Sequence, residues 1–133
     1  MPEDAQQIAA TYFVLCDSVN RMGGKVTLYG IFDRLFASSF PANHPQCALA
    51  LSLFGPPDEE AMVEVRFRDS DDGDVVPAMR AGPFRFSPFG TANAHLNLLG
   101  LPITREGFFR FEARTDPGSD PIATCHLFVE RRA

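Results

Sequence analysis

Residues 11–55 read TYFVLCDSVNRMGGKVTLYGIFDRLFASSFPANHPQCALALSLFG, and the alternation inside this stretch decides the fold class. From Gln46 to Phe54, Cys47, Leu49, Leu51 and Leu53 fall on one side of an extended chain and Ala48, Ala50 and Ser52 on the other, because successive strand side chains point to opposite faces. Val26 to Phe32 repeats the pattern, with Val26, Leu28, Gly30 and Phe32 against Thr27, Tyr29 and Ile31. A first strand from Ile8 to Val19 precedes it, joined through NRMGGK, whose glycines supply the positive φ of a tight reversal. That first strand is apolar almost without a break over Tyr12 to Cys16, which predicts cover on both faces or an oligomer contact. Asp33 to Ser39 reads as irregular, and Asn43, His44 and Pro45 as a loop, since a residue before proline is pushed out of the helical region.

Beyond Gly55 the same signals continue. MVEVRFRD alternates with period two, Val63, Val65 and Phe67 inward. The acidic turn DSDDGD leads into a strand from Val75 to Ser87, and Pro77, Gly82 and Pro83 restrict it to an edge or a bulge. Further strands run from Thr91 to Leu101, from Gly107 to Thr115 and from Ile122 to Glu130. No helical periodicity of useful length interrupts them. About eight short strands with turns between them predict a single all-β domain over residues 1–133, an antiparallel β-sandwich of immunoglobulin-like or C2-like type, with a β-barrel as the alternative. Residues 1–7 are polar and expected to be flexible.

Composition narrows the function classes. With 45% apolar and 22% charged residues the chain has the profile of a soluble globular domain. A net charge of -5 argues against a nucleic-acid or anionic-membrane binder, which shows a basic footprint. The apolar runs fall short of a membrane span, and Met1-Pro2-Glu3-Asp4 lacks the features of a secretory leader. Cys16, Cys47 and Cys125 each sit in a strand-like run, an odd and widely spaced set that reads as reduced core thiols. A cytoplasmic location in a bacterium is expected.

FVLCDSV followed by GGKVTLYGIFDRLFASSFP resembles a family of small bacterial proteins of uncharacterised function, marked by a Cys-Asp opening strand, then Gly-Lys, Gly-Ile-Phe-Asp and Phe-Pro. The resemblance covers nearly the whole chain, implies a β-sandwich and brings no catalytic residues with it. The closing segment LPITREGFFRFEARTDPGSDPIATCHLFVERR is similar to the terminal hairpin of immunoglobulin-like and C2-like sandwiches.

Candidate chemistry is sparse. DSDDGD has closely spaced carboxylates suited to calcium but lacks the closing glutamate of an EF-hand, so a hairpin turn is the expectation. Simple alternation of strand direction places Asp58 and Glu59 at one end with Asp116 and Asp120, a better but weak acidic cluster for a cation. His44, Cys47, His95, Cys125 and His126 carry no zinc-ligand spacing. Asn93, His95 and Asn97 form an outward polar row able to face a small ligand. Arg66, Arg68, Arg110 and Arg114 alternate with Glu64 and Glu112 as cross-strand ion pairs. No nucleophile elbow or phosphate loop is present, and neither an enzyme nor a cofactor is expected. The alternation leaves Phe54, Phe108, Phe128, Tyr29 and Ile31 outside. Exposed aromatic area of that kind predicts a protein-interaction or self-association module, whose partner is another protein or, as a homo-oligomer, a second copy. The alternative is a small-molecule or cation-binding module using the acidic loops or the Asn93/His95/Asn97 face.

Overall fold

The computed structural model of the chain describes residues 8–115 and 120–132. It is all-β, with eleven strands: β1 (Ala9–Met22), β2 (Lys25–Ile31), β3 (Arg34–Ala37), β4 (Ala42–His44), β5 (Cys47–Phe54), β6 (Glu60–Asp69), β7 (Met79–Arg85), β8 (Thr91–Leu98), β9 (Leu101–Ile103), β10 (Gly107–Arg114) and β11 (Ala123–Arg131). One sheet has the order β2-β1-β5-β8, the facing sheet β3-β11-β10-β6-β7, and β4 and β9 form a small third sheet.

The long alternating segments form strands where their pattern places them. Leu49 and Leu53 of one sheet meet Val63, Val65, Phe67, Phe111, Leu127 and Val129 of the other in a single core. At its centre the Phe67 ring stacks on Phe111 at 4.4 Å and on Phe109 at 5.4 Å between centroids.

Five details differ from the reading of the sequence. Asn43 and His44, read as a loop, lie in β4 and pair with Pro102 and Leu101 of β9. The segment taken as irregular contains β3, which pairs parallel to β11, Arg34 beside Phe128 and Ala37 beside Arg131, so the sandwich is mixed rather than wholly antiparallel. The strand expected from Val75 begins only at Met79, and its edge position after β6 is as expected. The strand expected to run to Leu101 is cut at Leu98, because Gly100 turns the chain at φ 104° into the separate β9. The first strand runs on past Val19 to Met22, leaving Gly23 and Gly24 as the turn.

That longer β1 has a structural purpose. Tyr12 pairs with Ser52, and Ser52 with Asn93. Arg21 lies nine residues further along β1, about 30 Å in a straight strand, yet its guanidinium donates to the Asn93 carbonyl. The β1–β2 hairpin therefore folds back as an arm over the outer face of its own sheet. Val19 and Leu28 of the arm pack on Cys16, Ala48 and Ala50, with Tyr12 and Val14 beside them, as a second apolar cluster. The unbroken apolar run of β1 is thus covered on both faces within one chain.

The arm bends where Gly30, at φ 65°, lies against Asp17. A Cβ at Gly30 would fall 2.2 Å from the Asp17 Oδ2 atom, and positive φ costs an L-residue about 1–2 kcal/mol. Gly30→Ala is expected to lower stability by about that amount, read by urea denaturation. An unchanged midpoint would show that the bend does not need glycine.

Candidate interaction surface

Two sets of outward side chains on the β3-β11-β10-β6-β7 sheet stand out, one apolar and one charged. Phe108 pairs across strands with Phe128, their rings 4.7 Å apart and tilted by 39°. The parallel register of β3 sets the Arg34 guanidinium 5.9 Å from the Phe128 ring centre, within reach of a cation–π attraction. Phe108 is 65% exposed. With Asp33, Arg34, His126 and Phe128 it lines an open recess of about 330 Å3. Asp33 and His126 also border a groove that reaches Ile31, itself 61% exposed. Phe108, Phe128 and Ile31 therefore border one continuous open side of the sandwich. Tyr29 is exposed but pairs with Ser18 on the arm and does not line either recess. Phe54 does not join them: it pairs with Ala9 and Thr91 at the other end of β5.

The charged set is centred on Glu112, a buried residue with only 6% exposure. Arg110 Nε lies 2.6 Å from Oε2, Arg114 2.8 Å from Oε1, and Arg68 3.8 Å from Oε1. Arg66, directly opposite in register, pairs instead with Glu64 at 3.1 Å. Burial pushes the Glu112 carboxyl up, but hydrogen bonds from Arg110 and Arg114 and the charges of Arg110 and Arg68 outweigh it, holding the group below the usual glutamate range. The ion pairs thus run mostly along a strand, Arg110 and Arg114 to Glu112 and Arg66 to Glu64, rather than across strands as expected, with Arg68 to Glu112 as the cross-strand contact, and they centre on a buried carboxylate.

Arginines also occupy the DSDDGD turn. The Asp71 and Gly73 N–H groups both donate to Asp69 Oδ1 at 2.9 Å, and the Gly73 bond leads the causes that lower the Asp69 pKa. Arg105 pairs with Asp71 at 2.9 Å, Arg68 with Asp74 at 3.3 Å, and Arg110 with Asp72. The turn is braced by cations of the protein itself. Asp69 pairs with Phe109 and Glu64 with Arg114, so this turn and Arg114 sit at opposite ends of the sheet, as alternation of strand direction requires. Of the acidic cluster Asp58, Glu59, Asp116 and Asp120, Asp116 lies outside the described residues. Among the described residues no three His, Cys, Asp or Glu side chains converge as a metal site.

The polar row of β8 is only partly outward. Asn93 and Asn97 are exposed, but His95 is half-buried beside the covered Ala50, and its buried Nδ1 atom has no hydrogen-bond partner among the described residues. The three cysteines are free and buried. Burial, above other causes, pushes the Cys47 and Cys125 thiols up to about 11 and raises Cys16 as well. No helix among the described residues is long and apolar enough to cross a membrane. Asp33 and Arg34 were not singled out from the sequence, and His126 was weighed there only as a zinc ligand, because the parallel pairing that gathers them leaves no local pattern.

A sequence profile described as a family of unknown function (DUF6941) matches residues 11–130. The chain belongs to this family. A DUF6941 chain of this sequence has no match among the curated proteins. Its fold recurs in solved structures of low identity. The alkylpurine DNA glycosylase AlkC of Pseudomonas fluorescens, bound to DNA containing an abasic site analog, aligns with a TM-score of 0.58 at 5% identity, over 92% of this chain and 30% of that one. The C-terminal domain of wzt aligns at 0.54 and 11% identity, over 100% of this chain and 81% of that one. The β-glucosidase EmGH1 of Erythrobacter marinus aligns at 0.53 and 9% identity, over 94% of this chain and 16% of that one. The DUF6941 chain thus spans less than a third of the glycosylase and of the glucosidase. At these identities the likeness is one of fold alone.

Proposed function

We propose that the protein is a bacterial cytoplasmic interaction module that works by contact, with another protein or with a second copy of itself, and performs no chemistry of its own. The observation that carries this reading is the open side of the sandwich, where Ile31 and Phe108 stay 61% and 65% exposed around the recess of Asp33, Arg34, His126 and Phe128. Aromatic and arginine side chains together are what protein interfaces enrich. The three free, buried thiols fit a reducing compartment.

Site-specific photocrosslinking in the producing cell tests it. A benzophenone side chain at position 108 or 31 is expected to yield a discrete crosslinked species, of the chain with itself or with one other protein. The same probe at Phe89, exposed in a turn elsewhere, is expected to yield none. Equal, diffuse crosslinking from all three positions would overturn the reading.

A further inference from the structure

The two sheets close differently along their two long sides. Between β7 and β8 the gap holds a cavity of only about 10 Å3. Between β1 and β11 an open groove of about 340 Å3 remains. Its floor is Phe13, Leu15 and Cys125. One end is closed where Phe32 and Asp33 cross between the sheets, the Phe32 N–H donating to the Leu15 carbonyl and the Phe128 N–H to the Asp33 carbonyl.

One rim of this groove is bare backbone. β3 pairs with β11 only from Phe128 onward, so residues 123–127 have β10 on one side and, among the described residues, no strand on the other. The Phe128 N–H points to the β3 side. Backbone groups alternate sides with period two, so the N–H and C=O groups of Thr124 and His126 point the same way, into the groove. Sheet edges are ordinarily guarded by lysine, proline or a bulge. Ala123-Thr124-Cys125-His126-Leu127 has none of these, and its register with β10 is unbroken. Among the described residues Asp33 is the one formally charged side chain of the groove lining.

We propose that the groove receives an extended segment of a partner protein, which adds to the free edge of β11 in line with β3. The backbone of that segment pairs with Thr124 and His126, its apolar alternate residues cover Phe13 and Cys125, and a lysine or arginine faces Asp33. This inference rests on the interaction reading above and names its mode as strand addition. A single extended segment fits a groove closed at one end, whereas every strand of a folded second copy arrives backed by its own sheet.

The test uses the full chain, labelled with 15N, and a short capped peptide alternating valine and threonine with one central lysine. The expected result is amide shifts at Thr124 and His126, several-fold weaker binding when glutamate replaces the lysine, and at least tenfold weaker binding when the peptide is N-methylated at alternate nitrogens. Thr124→Pro is expected to abolish binding and leave the melting temperature within a few degrees, because the N–H it removes makes no ladder bond to β10; the N-methylated peptide makes the same point without altering the protein. Shifts confined to the Phe108 neighbourhood, or equal binding of the N-methylated peptide, would overturn strand addition while leaving the interaction reading intact. A dimer seen by sedimentation and lost in Thr124→Pro would assign the edge to a second copy and overturn the inference in that way. Absence of both peptide shifts and crosslinks from position 108 would remove the interaction reading itself.

Discussion

Replacing Glu112 with alanine is expected to lower the unfolding free energy by about 3 kcal/mol at neutral pH, the lower end of the cost of breaking a buried ion pair. The lower end applies because the partners keep some access to water: the side chains of Arg114, Arg68 and Arg110 are 14%, 20% and 23% exposed. Removing the carboxylate leaves three guanidinium groups crowded on one sheet face, with their mutual repulsion no longer screened from within. The effect carries a pH signature. The folded protein holds the Glu112 carboxyl below its ordinary 4.5, so its contribution is fully present above that value and is lost as pH falls through the lower, folded pKa. The gap between wild type and Glu112→Ala in urea denaturation is therefore expected to stay constant from neutral pH to about 5 and to close on further acidification. A gap below about 1 kcal/mol at neutral pH would place Glu112 among ordinary surface pairs.

Phe67→Ala is expected to cost about 4 kcal/mol, within the range for truncating a buried phenylalanine. Phe67 is fully buried, and its ring touches both Phe109 and Phe111. Truncation removes the middle ring of a three-ring stack, and both outer rings lose a packed face. β6 and β10 are hydrogen-bonded neighbours in the middle of their sheet, so the cavity walls have little freedom to collapse. Phe67→Leu is expected to recover about half of the loss by refilling most of the volume. Thermal and urea unfolding measure both variants. If leucine proved no better than alanine, the loss would come from ring stacking rather than from volume.

These two residues differ in how far the sequence declares them. Phe67 lies in MVEVRFRD, where burial on one side and water on the other impose a period of two, and its inward position follows from that pattern alone. The same logic places Leu49 and Leu53 of β5 and Phe111 of β10. Glu112 was legible as a member of a charged row but not as its buried centre, because its closure depends on Arg68, brought alongside by pairing of β6 with β10. Ala48 and Ala50 read as the less apolar face of β5, and their burial depends on an arm that folds back from β1. The bend turns on one glycine against one aspartate, a contact without periodicity. The open side was legible in its apolar members Phe108, Phe128 and Ile31, but not in Asp33 and Arg34, nor in the place of His126 beside them, which the parallel pairing of β3 with β11 sets.

That parallel pair also orders events during synthesis. Arg34 and Phe128, adjacent in the sheet, are separated by 94 positions (128 minus 34) along the chain. β3 leaves the ribosome long before β11, which alone supplies its neighbour in the sheet. Until then Phe36, later covered in part by the Arg132 guanidinium 3.7 Å above its ring, waits beside an unpaired strand edge. Contacts so distant in sequence form slowly, and an unpaired edge with an exposed aromatic is the kind of surface on which nascent chains aggregate. The edge of β3 therefore stays without its sheet neighbour until the last strand of the chain has been made.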